Sequence, residues 1–102
     1  MEHHLTSADH DVAVRVGDVL VIELPSLAGA GYQWTLDVLP DALALEDAGR
    51  MVTAPAIGSN AVAIRIRVIA PFAGDLRWQN VRSWETPTIA IARYDLHVDA
   101  RA

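Results

Sequence analysis

Residues 62–69 read VAIRIRVI, with Val62, Ile64, Ile66 and Val68 alternating with Arg65 and Arg67. A period of two sends apolar side chains to one side of an extended backbone and guanidinium groups to the other; a helix would scatter both around its surface. The same period recurs along the chain. Val12, Val14 and Val16 alternate with polar or small residues. Tyr32, Trp34, Leu36 and Val38 share one face, with Gln33, Thr35 and Asp37 on the other. Residues 19–24, VLVIEL, form an apolar run bounded by Gly17 and Pro25, the length of a buried strand rather than a helix.

Elsewhere the pattern is less regular. Residues 39–51, LPDALALEDAGRM, fit either a short helical turn capped by Asp41 or a strand over 43–46 with a turn at Gly49. PFAG at 71–74 reads as a turn, after which Leu76 and Trp78 begin a strand. RSWETP at 82–87 reads as a loop. In the closing strand, TIAIARYDLHV, Ile89 and Ile91 are out of phase with Tyr94, Leu96 and Val98. A β-bulge near Ala92-Arg93 would reconcile them. The five prolines, at 25, 40, 55, 71 and 87, fall at strand boundaries, as residues without an N–H to donate to a ladder should. Short strands at near-regular spacing predict an all-β fold, an antiparallel β-sandwich of about seven strands. A single domain over 1–102 is expected, with 1–11 as a flexible N-terminus.

Apolar residues make up 52% of the 102, enough for one packed core without disulfides. There is no cysteine, which excludes thiolate metal sites, redox dithiols and a cysteine nucleophile. The net charge is −5, and the eight basic residues are all arginines scattered over alternating positions. Nucleic-acid binding needs clustered positive charge, so none is expected. No stretch approaches the ~20 apolar residues of a membrane span. Residues 1–14 are polar and carry no apolar signal core. As written the chain reads as cytoplasmic, and as periplasmic or secreted if a signal segment has been removed.

Catalytic signatures are missing. There is no GxSxG, HExxH, phosphate-binding loop or dinucleotide glycine pattern. Glu46-Asp47 reads as solvated surface. His3, His4, His10, Asp9 and Asp11 are metal-capable residues, but their spacing matches no metal site and a frayed terminus accounts for them. His97 reads as exposed. No enzymatic activity and no cofactor are expected.

The stretch GDVLVIELPSLAGAGYQW, residues 17–34, resembles the GDxLxIxLPxNPTTGYxW signature of the chagasin family, proteinaceous inhibitors of papain-like cysteine peptidases. It keeps Gly17, Asp18, Leu20, Ile22, Leu24, Pro25, Gly31, Tyr32 and Trp34. IGSNAVAIRIRV follows with Gly58 and a long alternating strand. GDLRWQNVRSWE then sets Arg82, Ser83 and Trp84 where the family has RPW. The similarity runs over residues 12–98. It implies an immunoglobulin-like sandwich whose three loops enter a peptidase cleft side by side as a wedge. The implied peptidase-binding residues are Leu27, Ala28, Gly29, Ala30 and Gly31 in the first loop, and Gly58, Ser59 and Asn60 in the second. The third loop supplies Arg82, Ser83, Trp84 and Glu85.

Each residue also has a structural reading. Tyr32, Trp34 and Trp78 read as core aromatics. Trp84 is either a cleft anchor or a lid over the sandwich end, and Leu27 either projects or folds back. Arg82 either serves a partner or pairs with Glu85. The chain departs from the family where Leu27-Ala28-Gly29-Ala30 stands for Asn-Pro-Thr-Thr, which removes a fixed φ angle and two hydroxyls. Ser83 likewise stands for proline. The altered loop motivates an alternative, a noncatalytic immunoglobulin-like module that binds another protein. The expected partner is a papain-like cysteine peptidase, and the chain itself is expected to be a monomer.

Overall fold

A computed structural model of the 102-residue chain describes residues 1–26, 33–54, 59–82 and 90–102, with backbone alone for 51–54 and 59–60. Among these residues there are eight strands in two four-stranded sheets, one more strand than expected. They are β1 (Glu2–Thr6), β2 (Asp11–Arg15), β3 (Val19–Pro25), β4 (Gln33–Leu36), β5 (Leu43–Ala54), β6 (Ser59–Val68), β7 (Phe72–Val81) and β8 (Ala92–Arg101). One sheet runs β1-β3-β6-β5 and the other β2-β8-β7-β4. The pairings are antiparallel except β1 with β3 and β2 with β8.

The alternation in β6 is realised in full. Ile64, Ile66 and Val68 have no solvent exposure and Val62 is half-buried, while Arg65 and Arg67 lie on the outer face. There Glu46 links the two guanidinium groups, at 3.2 Å from Arg65 Nε and 2.9 Å from Arg67 Nε, and Glu2 reaches Arg65 Nη2 at 2.7 Å. Leu20, Ile22 and Leu24 of β3 face the same interior. Leu76, Trp78, Tyr94, Leu96 and Val98 fill it from the opposite sheet. Two inner faces with period-two apolar residues, packed on each other, constitute the core.

Residues 1–11, expected to be a flexible terminus, are largely paired. β1 adds to β3 with Leu5 buried, the chain turns at Ser7-Ala8, and β2 joins the other sheet beside β8. Asp9 makes the turn: its Oδ2 accepts from Thr6 N at 2.8 Å, and its own N–H donates to Thr6 O at 3.0 Å. The Tyr94 hydroxyl donates to Asp9 O, tying the crossover to the core. Burial, and secondarily the Asp9 carboxylate, push the Tyr94 phenol up to about 12.

Three further expectations are corrected. Residues 43–54 form one long strand, neither helix nor short strand, with register shifts between Leu45 and Asp47 and between Asp47 and Arg50. Phe72, Ala73 and Gly74 lie inside β7, where a turn was expected. β8 pairs with β7 in unbroken register from Ala92, so no bulge falls at Ala92-Arg93. Ile91 lies outside the strand and is exposed, which removes the phase conflict at that position; Ile89 is outside the described residues.

The β5 irregularity depends on glycine. Gly49 has φ +156°, and a Cβ there would stand 2.6 Å from Val62 Cγ1. Gly49→Ala is therefore expected to lower stability by about 1–3 kcal/mol. A urea midpoint equal to that of the parent would contradict this.

At the pole where β3 begins, Gly17 takes φ +96° and donates its N–H to Val68 O at 2.8 Å. Asp18 Oδ2 accepts from Arg15 N at 3.0 Å and lies 2.9 Å from His3 Nε2. The His3 contact, the Arg15 N–H and the α-ammonium group hold its carboxyl down at about 2, against an ordinary 3.8. In acid the unfolded chain binds this proton first, so stability falls as pH drops from 3.8 toward about 2. Asp18→Asn is expected to flatten that acid limb of the stability profile. An unchanged limb would show that other carboxylates carry it.

Candidate functional site

The register brings the roots of the three predicted loops together. In one sheet Pro25, at the end of β3, pairs with Ala61 near the start of β6, and Ala61 pairs with Val52 near the end of β5. In the other, Gln33 at the start of β4 pairs with Val81 at the end of β7, while Asn80 pairs with Ala92 at the start of β8. A hydrogen bond from Trp34 Nε1 to Pro25 O, at 2.9 Å, joins the two sheet ends. Trp34 thus spans the base of the first loop, and its half-buried ring packs on the core. The connections 26–32, 55–58 and 82–91 therefore all leave from one pole of the sandwich.

The predicted site residues divide accordingly. Leu27, Ala28, Gly29, Ala30 and Gly31 lie outside the described residues, as do Tyr32, Gly58, Ser83, Trp84 and Glu85. Ser59 and Asn60 open β6, opposite Ala54 and Thr53. Arg82 directly follows β7 and is half-buried, with its Nε shielded from solvent. It continues the inward phase of Leu76, Trp78 and Asn80. Glu23 and Arg93 also lie within two residues of the loop roots Pro25 and Ala92.

Two residues at this pole escaped the sequence reading. Asn80 is 1% exposed, and its Oδ1 has no hydrogen-bond partner among the described residues. Ile91 donates its N–H to Asn80 O at 2.9 Å and leaves its side chain 48% exposed, an apolar knob beside the third loop. The signal for Asn80 was available: position 80 continues the phase of Leu76 and Trp78. Ile91 was hidden by its assignment to the closing strand.

Nothing catalytic is assembled elsewhere among the described residues. No group of three or more histidine or carboxylate side chains is arranged to hold a metal. His3 engages Asp18, His4 lies 3.4 Å from Glu2, and His10 Nδ1 contacts Asp95 O. The outer face of the β2-β8-β7-β4 sheet has a shallow depression of about 400 Å³. Its polar groups satisfy one another, His97 with Asp75 at 2.8 Å and Arg77 with Asp95 at 2.7 Å.

The described residues thus form a two-sheet sandwich with three connections rooted at one pole. The chain belongs to the chagasin family of peptidase inhibitors (Chagasin family peptidase inhibitor I42), whose sequence model matches residues 13–98. The family is one of peptidase inhibitors and not of enzymes. The fold is similar to that in the crystal structure of EhICP2, a cysteine protease inhibitor from Entamoeba histolytica. That match has a TM-score of 0.82 at 20% identity and covers 98% of this chain and 95% of that one. It is also similar to the solution structure of amebosin, with a TM-score of 0.67 at 21% identity, covering 96% and 97% of the two chains. A comparison with curated protein sequences finds no significant match.

Proposed function

We propose that this protein inhibits papain-like cysteine peptidases by presenting the 27–31, 58–60 and 82–85 segments as one blunt edge to the catalytic cleft. The observation that carries the reading is the convergence of all three loop roots on one pole, stapled across the sheets by Trp34 and Pro25. A scaffold whose strands are fixed by two sheets and a common core loses little further backbone freedom on docking. Gly29 and Gly31 admit close backbone approach to the enzyme. Leu27 and Trp84 supply apolar surface, and the exposed Ile91, just before β8, adds to it. Arg82, half-buried, orients the third loop rather than reaching far beyond it.

Such an inhibitor needs no scissile bond in the cleft, so it acts by occlusion and is recovered intact. Titration of active-site-calibrated papain and several cathepsins with the purified protein tests this. The expected result is stoichiometric, reversible loss of activity with no cleaved inhibitor in the products. An absence of inhibition at micromolar protein across such a panel would overturn the reading.

A further inference from the structure

We infer that the edge of β4, unpaired among the described strands, is a self-pairing surface and that its occupant is β4 of a second copy of this chain. Asp37 N donates to Arg77 O at 2.9 Å, which extends the β4–β7 register by one pair and fixes its phase. Gln33, Thr35 and Asp37 direct their backbone groups at β7, so those of Trp34 and Leu36 point away from the sheet. Two residues spaced i and i+2 with outward N–H and C=O groups are what antiparallel pairing about a two-fold axis at Thr35 requires. Trp34 would exchange both hydrogen bonds with Leu36 of the second copy, and Leu36 with its Trp34.

The side chains agree with this register. In an antiparallel pair, directly opposed residues share a face. The two-fold sets Trp34 beside Leu36 on the core side, Thr35 against Thr35 on the outside, and Gln33 against Asp37. An amide facing a carboxylate is complementary, and no like charges oppose. The other three edges are guarded in the usual ways. β1 carries Glu2 with two histidines, β2 carries Asp11 and Arg15, and β5 carries Glu46, Asp47 and Arg50 with two register shifts. β4, Gln33–Leu36, has no charge at all. Next to it lies an apolar groove of about 360 Å³, open between β4 and β5 and lined in part by Leu36, Leu39 and Leu45. Leu39 and Leu45 are each 40% exposed.

Two strands of four residues bury well under the ~1,200 Å² at which stable complexes begin. The protein is therefore a monomer at micromolar concentration and dimerises reversibly as concentration rises toward millimolar. Because the paired strands run in opposite directions, the two loop poles face opposite ways, and pairing leaves both on the outside of the dimer.

Sedimentation equilibrium from micromolar to millimolar protein should show the average mass rising from 11.1 kDa toward twice that value. Thr35→Lys, which sets two ammonium groups face to face on the axis at an exposed position, should hold the mass at the monomer value with the thermal midpoint unchanged. The chain has no cysteine, so Thr35→Cys gives a single thiol. At a non-hydrogen-bonded pair on the axis it meets its own copy at disulfide distance. Mild oxidation at high concentration, forming one S–S bond as two thiol hydrogens pass to the oxidant, should cross-link Thr35→Cys at least tenfold faster than Ala73→Cys, a thiol on an exposed position of β7. A constant monomer mass up to millimolar protein, or equal cross-linking rates for the two variants, would overturn the proposal.

Discussion

Trp78→Ala is expected to cost about 3–5 kcal/mol of folding stability, a large share of the roughly 5–15 kcal/mol that holds a domain of this size together. Trp78 heads the fully buried side chains at 1% exposure. It pairs in register with Tyr94 on one side and Leu36 on the other, and its ring centroid lies 5.8 Å from that of Tyr94. Truncation would open a cavity between these neighbours, and neither sheet can close it without breaking ladder hydrogen bonds. Trp78→Phe retains an aromatic partner for Tyr94 and should lose a smaller part. The measurement is the urea midpoint followed by far-ultraviolet circular dichroism, with the slope checked for two-state behaviour. A midpoint within experimental error of the parent would mean that this ring is not the centre of the core.

Why Trp78 was legible and other parts were not follows from how strands bury their side chains. Where a strand sits inside a sheet with one face on the core, as β6 does, every second residue is apolar and the period speaks for itself. β1 sits at an edge and buries only Leu5, so EHHLT carries no alternation to read. β5 does carry apolar residues, but two register shifts re-phase it, and its sequence then looks equally like a helical turn. Gly74 was read as part of a turn because glycine is common there. In the fold a Cβ at Gly74 would meet the Phe72 ring at 2.8 Å, so glycine serves packing within a strand. Val38 was placed on the inward face with Trp34 and Leu36, yet β4 ends at Leu36 and Val38 is 72% exposed.

The shared signature also divides by role once the fold is known. Gly17 and Asp18 build a turn at the pole away from the loops, so that part of the motif encodes the scaffold. Pro25 and Trp34 staple the base of the first loop and encode presentation. Between them, Leu27 to Ala30 are where this chain departs from the family signature. Loop chemistry is the part that neither alternation nor sheet register can dictate, because both rules apply to strands.

Trp84→Ala is the substitution expected to affect inhibition most. Trp84 belongs to the 82–91 connection between β7 and β8, flanked in sequence by Arg82, Ser83 and Glu85. Under the proposed function it enters the cleft as a flat apolar anchor, and tryptophan at the centre of a desolvated contact is the residue most costly to truncate. A loss of about 2–4 kcal/mol corresponds to a Ki raised roughly 30- to 800-fold. Thermal unfolding of the same variant separates anchor from lid. An anchor leaves the midpoint where it was while Ki climbs; a lid over the sandwich end lowers the midpoint and disturbs Ki only in proportion. Trp34→Phe provides the contrast, since it removes the donor to Pro25 O while keeping an aromatic ring on the core, and so loosens the base of the first loop. If Trp84→Ala inhibits as tightly as the parent, the third loop is not where the peptidase is held, and binding must rest on the first and second loops.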